Sequence, residues 1–121
     1  MSFCFRKHEH LRCSADFRRV YERRRSVSDD HLIIYACENG LPYSRLGLSV
    51  SRKRGTAVQR NRLRRLCREA FRLTRHEMPR GLDLILIPRR AELPSLAELK
   101  QALPRLVRQV AGKLRREAGK S

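Results

Sequence analysis

The sequence is short of acidic residues, aromatic residues and long apolar runs, and it contains no tryptophan. Only 12 Asp and Glu stand against 29 Lys and Arg in 121 residues, which leaves a formal net charge of +17. This excess disfavours a compact state through self-repulsion and makes a polyanion the natural partner. Because 40% of the residues are hydrophobic and fall in patterned segments, the chain is expected to fold rather than to be disordered.

The shortage of apolar runs bears on the location of the protein. No run approaches the ~20 residues that a membrane-spanning helix needs. The first residues also lack the apolar centre of a signal peptide. We therefore expect a cytoplasmic protein with no membrane partner.

Four cysteines are present, and no two of them form a CxxC pair. A disulfide framework is not expected in a cytoplasmic chain that can build a core. Cys4, His8, His10 and Cys13 could supply four zinc ligands, but their spacing is irregular. Scattered thiols in a polar tail are the preferred interpretation, so no metal site is predicted in the protein.

Hydrophobic periodicity divides the chain into helices and strands within one expected domain over residues 1–121. Helices are predicted over 14–24, over 57–77 and from Ser95 to about Leu114, and strands over 31–37, 45–51 and 81–88. The remaining segments are interpreted as a loosely ordered basic tail at 1–13, a loop at 26–30 and a frayed end at 115–121. The first two strands are expected to pair as an antiparallel hairpin. The third is almost wholly apolar, which indicates the middle of a sheet.

Local patterns mark where the predicted helices begin and bend. Ser14 is expected to be the N-cap of the first helix. Thr56 and Gln59 match the capping-box pattern at the start of the second. Pro104 is expected to kink the last helix or to start a second segment there.

The second predicted helix has an apolar stripe along one face and basic residues along the opposite face. Leu63, Cys67 and Phe71 share the apolar side, and Arg65 and Arg68 share the opposite side. Between residues 52 and 75 the chain has ten basic residues and one acid. A face that merely contacts solvent would be expected to mix both signs of charge. Since the arginine fork binds phosphate in a bidentate way, contact with a polyanion is the preferred interpretation.

Two further pairs of residues are compatible with nucleic-acid binding. Phe17 and Tyr21 lie one helical turn apart and could stack on single-stranded bases. They could equally pack the first helix against the sheet, and the pattern leaves both possibilities open. Ser49 and Ser51 lie on the bare face of their strand, which either leaves room for a nucleic-acid backbone or contacts solvent.

The sequence contains no recognisable set of catalytic groups. There is no tight acid pair, no HExxH motif and no nucleophile–base triad. His76 and Glu77 are a weak candidate for acid–base chemistry, and a helix-end contact is the preferred interpretation. No catalytic residue is therefore predicted in this chain.

Three segments together resemble the protein subunit of bacterial ribonuclease P. They are SADFRRVYERRRS, LGLSVSRKRGTAVQRNRLRRLCREAFR and GLDLILIPR, and the resemblance covers roughly residues 10–110. It implies an α/β fold, an α+β two-layer sandwich in which helices pack on a central mixed sheet. It also implies a left-handed β-α-β crossover and a ribosomal-protein-like second-domain fold, whereas the general rule predicts a right-handed crossover.

The resemblance implies two RNA-binding regions and no catalytic group in the protein. The catalytic RNA would contact the basic turn and the helix after it, through Arg52, Lys53, Arg54, Arg60, Asn61, Arg62, Arg64, Arg65, Arg68 and Arg72. The single-stranded 5′ leader of precursor tRNA would lie in a cleft lined by Phe17, Tyr21, Tyr35, Ser49 and Ser51. The RNA subunit would cleave with Mg²⁺, and the protein alone would bind no cofactor.

The expected function is that of the accessory protein subunit of this endoribonuclease, a monomer in a 1:1 ribonucleoprotein that matures the 5′ ends of tRNA. A ribosome-associated or RNA-chaperone protein would share the charge and the sheet, but it would not need an arginine helix joined to an aromatic first helix. A helix-turn-helix DNA binder would need two adjacent helices. A self-sufficient nuclease would cleave RNA alone.

Overall fold

A computed structural model of the chain describes residues 9–11, 13–90 and 95–118. Its elements, in chain order, are α1 (Ser14–Glu22), β1 (Ser26–Ser28), β2 (Leu32–Glu38), β3 (Arg45–Leu48), α2 (Ala57–Thr74), β4 (Leu82–Pro88) and α3 (Leu96–Ala118). Short 3₁₀ turns at Arg52–Arg54 and Arg75–Glu77 flank α2. Within the described ranges, no helix is both long and apolar enough to cross a membrane.

The four strands form one mixed sheet in the order β1-β2-β4-β3. Neighbours pair antiparallel, except that β3 and β4 run parallel and are connected through α2. The central place of β4 confirms the prediction from its apolar sequence. The predicted hairpin of β2 and β3 is wrong, because β4 lies between these strands and pairs with both. Part of the predicted loop at 26–30 is also wrong, since β1 pairs with β2 there.

Alternate residues of β2 and β4 point to two different cores. Ile34 and Leu84 belong to the main core, which lies between the sheet and the pair α2 and α3. Tyr35 and Ile85 point to the opposite face and pack with Val20 of α1. A mixed sheet with helices packed on its faces confirms the predicted α+β class.

Helix α3 is held on the sheet by a long apolar stripe. Its members are all at most 2% exposed: Leu99, Leu103, Leu106, Val107, Val110 and Leu114. Burying one such side chain contributes ~1.5–3 kcal/mol, so the stripe outweighs the backbone hydrogen bond that Pro104 removes. The helix continues through Pro104 rather than starting a second segment at that position.

The predicted N-terminal cap is confirmed for α2 and is wrong for α1. In the capping box of α2, the Gln59 amide donates to the Thr56 hydroxyl (3.2 Å), and the Thr56 amide donates to the Gln59 side chain (2.8 Å). Helix α1, by contrast, has Cys13 at its cap position and no side-chain cap, so the prediction of Ser14 as the N-cap is wrong. Helix α2 ends at Thr74, where the 3₁₀ turn continues the predicted segment to Glu77.

Residues 9–11 pack against β3. The Leu11 amide donates to the Leu46 carbonyl (2.8 Å), and His10 bridges the same residue in parallel. Glu9 is 6% exposed and forms an ion pair with Arg75. The expectation of a loosely ordered tail is therefore wrong for these residues, and residues 1–8 and 12 lie outside the described part. At the other end α3 is helical to Ala118, beyond the predicted start of fraying at 115, and residues 119–121 also lie outside it.

Candidate nucleic-acid interface

The predicted RNA-contacting residues form one continuous basic surface. The turn Arg52–Arg54, which we call the basic turn, leads through Gly55 and Thr56 directly into α2. Gly55 has φ 122°, a backbone conformation that favours glycine, so the chain can reverse between the two elements. We use the term arginine face for the polar side of α2, formed by Asn61, Arg62, Arg64, Arg65, Arg68 and Arg72. The amphipathic pattern creates this face, because the opposite side of the helix is buried in the main core.

Several cations of this surface have no acidic partner. Arg62, Arg65 and Arg68 are exposed, and no hydrogen bond or ion pair joins their side chains to any part of the chain that the structure describes. Arg52 and Lys53 of the basic turn are exposed in the same way. Like charges one helical turn apart destabilise the free protein. An anion bound to this surface would neutralise them, so the arrangement favours anion binding.

Other predicted members of the surface are already engaged within the protein. Arg72 pairs with Glu69 (3.2 Å from Nε to Oε2), and this hydrogen bond lowers the pKa of Glu69. Arg64 donates to the side chain of Asn61 at 3.0 Å. Arg54 donates to the backbone carbonyl of Arg89 after β4. These groups offer fewer donors to an external phosphate than their exposed neighbours do.

Arg60 occupies the edge of the face rather than its centre. It is half-buried, and its Nε is enclosed with no hydrogen-bond partner in the described structure. The helical wheel indicates the same position, because Arg60 lies near the Leu63 stripe.

The second predicted region lies on the other face of the sheet. Strand register there places Ser26, Tyr35, Ile85 and Gly47 in one row across the four strands. Helix α1 packs over this row, with Phe17 directly above Gly47. A methyl group added at Gly47 would come within 2.7 Å of the Phe17 ring, so glycine is what lets the ring approach the strand.

The next row of this sheet face is only partly covered. It contains Ser28, Ile33 and Ile87, which the register aligns and which are half-buried or exposed. Ser49 continues the row, because its amide donates to the Leu86 carbonyl at 3.0 Å. We call this partly covered strip, together with the aromatic residues of α1 and β2 beside it, the aromatic cleft.

The aromatic residues border this cleft with half-exposed rings. Tyr21 of α1 and Tyr35 of β2 meet edge to face, with ring centroids 5.0 Å apart. Phe17, Tyr21 and Tyr35 are all half-buried and pack on the smaller core. They therefore hold α1 on the sheet and still present ring surface to solvent, which is intermediate between the two interpretations that the sequence left open.

Of the two predicted serines, only Ser49 lies in the partly covered row. Ser51 is exposed, and its hydroxyl accepts a hydrogen bond from the Lys53 amide (3.2 Å). Ser51 thus caps the basic turn and connects the aromatic cleft to the basic surface. The two predicted regions are neighbours in space at this point.

The position of α1 depends on a buried carboxylate that sequence analysis missed. Asp83 of β4 is 0% exposed. It accepts hydrogen bonds from Arg45 Nε (2.8 Å) and from Asn39 Nδ2 (2.9 Å), and it pairs with Arg19 of α1. Burial alone would raise the pKa of Asp83, but the hydrogen bonds from Arg45 and Asn39 outweigh it and hold this pKa below its ordinary value. One acid within an otherwise apolar strand was the signal available in the sequence.

Two arginines beside the aromatic cleft were also missed. Arg18 and Arg24 line a shallow depression together with Phe17 and Tyr21. Both are exposed, and neither has an ion-pair partner among residues 9–11, 13–90 and 95–118. Arg18 directly follows Phe17 in α1, and this adjacency of a cation and an aromatic residue could have identified it.

The described residues contain no group of three or more His, Cys, Asp or Glu that could hold a metal ion. Cys4 and His8 of the possible zinc set lie outside them, and Cys13 is exposed. Burial raises the pKa of the Cys67 thiol to about 12, which makes it a structural group of the core. His76 Nε2 and Glu77 Oε2 are 3.8 Å apart in the 3₁₀ turn that follows α2.

Comparison with known proteins gives a consistent result. The family model described as Ribonuclease P matches residues 5–111. The Ribonuclease P protein component of Thermotoga maritima is 39% identical over 90 residues, which cover 74% of this chain and 77% of the relative. The protein of the same name from Alkaliphilus oremlandii is 38% identical over 101 residues, which cover 83% and 89%.

Solved structures agree with the sequence relatives. The RNase P protein from Thermotoga maritima matches with a TM-score of 0.75 at 33% identity, over 84% of this chain and 96% of that one. A Staphylococcus aureus RNase P protein mutant matches with a TM-score of 0.76 at 30% identity, over 87% and 90%. The chain described here belongs to the ribonuclease P protein family.

Proposed function

We propose that this chain is the accessory protein subunit of ribonuclease P, the endoribonuclease that matures the 5′ ends of tRNA. In this proposal the basic turn and the arginine face bind the catalytic RNA, and the aromatic cleft binds the single-stranded 5′ leader of precursor tRNA. The observation that carries the proposal is the joining of these two surfaces at Ser51. An RNA bound to α2 can therefore present a substrate strand to the cleft.

Phosphate contacts account for binding of the RNA subunit. Arg62, Arg65 and Arg68 have planar forks with no competing acid in the described structure, and such forks bind phosphate oxygens in a bidentate way. Each neutralised phosphate releases counterions, so several contacts give tight binding that weakens steeply as salt is added. Arg72 is expected to contribute less, because Glu69 already occupies it.

Stacking accounts for binding of the leader. The half-exposed rings of Phe17, Tyr21 and Tyr35 offer apolar surface to unpaired bases, at ~1–3 kcal/mol per stacked base. Ser49, in the partly covered row, has a small side chain that leaves room for a backbone to approach. Arg18 lies beside these rings and could neutralise a leader phosphate. A duplex could not use the rings in this way, because its bases are already stacked.

No residue of this chain is assigned a chemical step. The proposal gives cleavage to the RNA subunit with Mg²⁺, which would polarise the scissile phosphate and its attacking water. The protein would hold the two RNAs together as a monomer in a 1:1 complex and would reduce their mutual repulsion with its positive charge. In this proposal the protein acts in the cytoplasm.

The test is single-turnover cleavage of precursor tRNA by a bacterial ribonuclease P RNA at low magnesium concentration. We expect no cleavage by the protein alone and restored cleavage when the protein is added to the RNA. The double variant Arg65→Ala/Arg68→Ala serves as the matched control, since it removes two cations of the arginine face. Robust metal-dependent cleavage by RNA-free protein would overturn the proposal.

A general RNA-chaperone or ribosome-associated role is the alternative, and the family comparisons do not favour it. Such a protein would bind unrelated structured RNAs as tightly as precursor tRNA and would not raise the cleavage rate. Measuring affinity for both kinds of RNA in the same assay separates the two roles.

A further inference from the structure

A second cationic surface, separate from the arginine face, is a groove at the β1 edge of the sheet. It runs between β1, which is the outer strand, and α3. Its principal lining residues are Ser26, Ser28, Arg108, Gly112, Lys113 and Arg116, and we call it the edge groove. Helix α3 packs on β1 and β2, whereas α2 contacts β3 and packs against α3. The edge groove therefore adjoins one outer strand of the sheet, and the helix that carries the arginine face adjoins the other.

The edge of β1 presents backbone groups to this groove. The Ala36 amide donates to the Arg25 carbonyl (3.1 Å), so Arg25 faces β2 and its neighbour Ser26 faces outward. Ser28 faces outward by the same alternation. Lys113 Nζ donates to the Ser26 carbonyl at 2.8 Å, which occupies an acceptor that an added β-strand would need. The groove thus suits an anion better than a peptide strand.

The charges around the groove are not balanced within the protein. The side chain of Arg116 is exposed and has no hydrogen-bond or ion-pair partner in the described ranges, and the same holds for the side chain of Arg24 in the depression that adjoins the groove. Arg108 donates to the Glu77 carbonyl (2.8 Å), which anchors its fork at the rim. Two acids adjoin the groove, and arginines already engage both. Glu117 pairs with Arg23 and Arg25, and Asp29, which follows Ser28 in the chain, lies 4.0 Å from Arg105.

We propose that the edge groove binds the phosphate backbone of a second RNA segment, independently of its base sequence. Backbone amides, a lysine and arginine forks are the donors that phosphate oxygens accept from. The arginine face and the edge groove share no lining residue, so two RNA segments can be bound at once. The segment could come from the RNA subunit or from the far 5′ part of a long leader, and both offer the same phosphodiester chemistry.

Gly112 makes a sharp test possible because it lies in the middle of the groove. A Cβ at this position would meet no atom within 4 Å, and its place in α3 is helical. Gly112→Glu would put a carboxylate one turn from both Arg108 and Arg116, on a Cβ that meets no neighbouring atom. Gly112→Ala is the control for the backbone, and Gln101→Glu, at an exposed position of α3 outside the groove, is the control for charge.

The readout is affinity against salt concentration for the RNA subunit, for precursor tRNA with a short leader and for precursor tRNA with a long leader. We expect Gly112→Glu to bind at least one of them roughly 3- to 10-fold more weakly, with a salt slope shallower by ~0.7–1.8, as expected for the loss of one or two phosphate contacts. Gly112→Ala and Gln101→Glu should stay near wild type. Loss for the RNA subunit, or only for the long leader, identifies the source of the segment.

Thermal unfolding of each variant shows that the fold is kept, and replacing glycine within a helix should raise the melting temperature. If Gly112→Glu and Gln101→Glu bind every RNA alike, the proposal is overturned. The same holds if Gly112→Glu impairs only binding of an acidic peptide such as oligoglutamate. The variant Arg65→Ala/Arg68→Ala, measured in parallel, shows whether the proposed function stands when the edge groove fails.

Discussion

The arginines around Asp83 and those of the arginine face use the same side chain for opposite purposes. Arg19 and Arg45 direct their forks at a carboxylate that is 0% exposed. Arg65 and Arg68 point away from the core and contact no acid in the described structure. The first pair holds helix α1 on the sheet, and the second pair remains available to a partner.

These two groups of arginines show how a chain with a charge of +17 can remain folded. A buried acid would be very costly alone, and its hydrogen bonds to two arginines and Asn39 offset that cost. Exposed arginines lose almost no hydration, so the fold tolerates them at a cost of a few tenths of a kcal/mol for each like-charge pair. The repulsion between these arginines is relieved only when a polyanion binds.

The largest effect is expected from Asp83→Asn, which would leave Arg19 and Arg45 without their carboxylate. Breaking a buried pair costs ~3–5 kcal/mol of unfolding free energy, and the partial exposure of both guanidinium groups places the loss near ~3 kcal/mol. Urea unfolding followed by circular dichroism measures it. Arg65→Ala is the matched control from the other group and should change stability by less than ~0.5 kcal/mol. Equal effects of the two variants would refute the comparison.

Acid should weaken the same network. The pKa of Asp83 is below its ordinary value because hydrogen bonds from Arg45 and Asn39 outweigh burial, the largest single influence. The stabilisation is therefore complete above the unfolded pKa of ~3.9 and is lost as pH falls through the lower folded pKa. Unfolding free energy measured from neutral to acid pH should fall more steeply in the wild type than in Asp83→Asn. Parallel curves for the two proteins would contradict this.

The aromatic cleft, which α1 borders, should respond more selectively. Phe17→Ala is expected to weaken binding of precursor tRNA by ~1–3 kcal/mol and to leave mature tRNA almost unaffected, since only the precursor has a leader to stack. Its stability cost should be modest, because the ring is half-exposed.

Val20→Ala in the same helix is the control for Phe17→Ala. Val20 is 0% exposed in the smaller core, so its truncation should lower the melting temperature without favouring either RNA. If Phe17→Ala lowers the melting temperature more than Val20→Ala and binds both RNAs equally weakly, its ring is a core group and not a stacking platform.

The smallest effect on stability is expected from Arg65→Ala/Arg68→Ala. Unfolding free energy should change by no more than ~0.5 kcal/mol, and it could rise, because the like-charge pair Arg64 and Arg68 is removed. Binding to the RNA subunit should nevertheless weaken, and the slope of log affinity against log salt should become shallower by ~1.4–1.8 for two lost phosphate contacts.

The matched control for this double variant is Lys100→Ala/Arg115→Ala, which removes the same charge from exposed positions of α3. It should leave the salt slope near that of the wild type. An unchanged slope in the arginine-face variant would mean that these two arginines only contact solvent.

Local patterns were sufficient for the elements that carry most of the predicted function. The apolar stripe of α2, its capping box at Thr56 and Gln59, and the central place of β4 all follow from residues close together in the chain. The arginine face follows as well, because the helical period alone separates Arg65 and Arg68 from Leu63. These predictions succeeded because the helical period fixes which face of the helix each side chain occupies.

Strand partners could not be predicted in this way. The hairpin of β2 and β3 was the expectation, yet β4 pairs with both of these strands. Alternation shows which face a residue occupies but not which strand lies beside it. β1 is only three residues long and mostly polar, so no periodic signal distinguished it from a loop.

The sequence by itself determined the class of partner, the arginine helix and the alternation that gives the sheet two apolar faces. The tertiary structure alone decided which charges remain available. Asp83 gathers partners from three separate parts of the chain, Arg19, Asn39 and Arg45, so composition could not show that some arginines are used inside the fold. The edge groove likewise exists only where β1 meets α3. Charge and periodicity are properties of neighbours in sequence, whereas the pairing of a buried ion depends on neighbours that only the fold brings together.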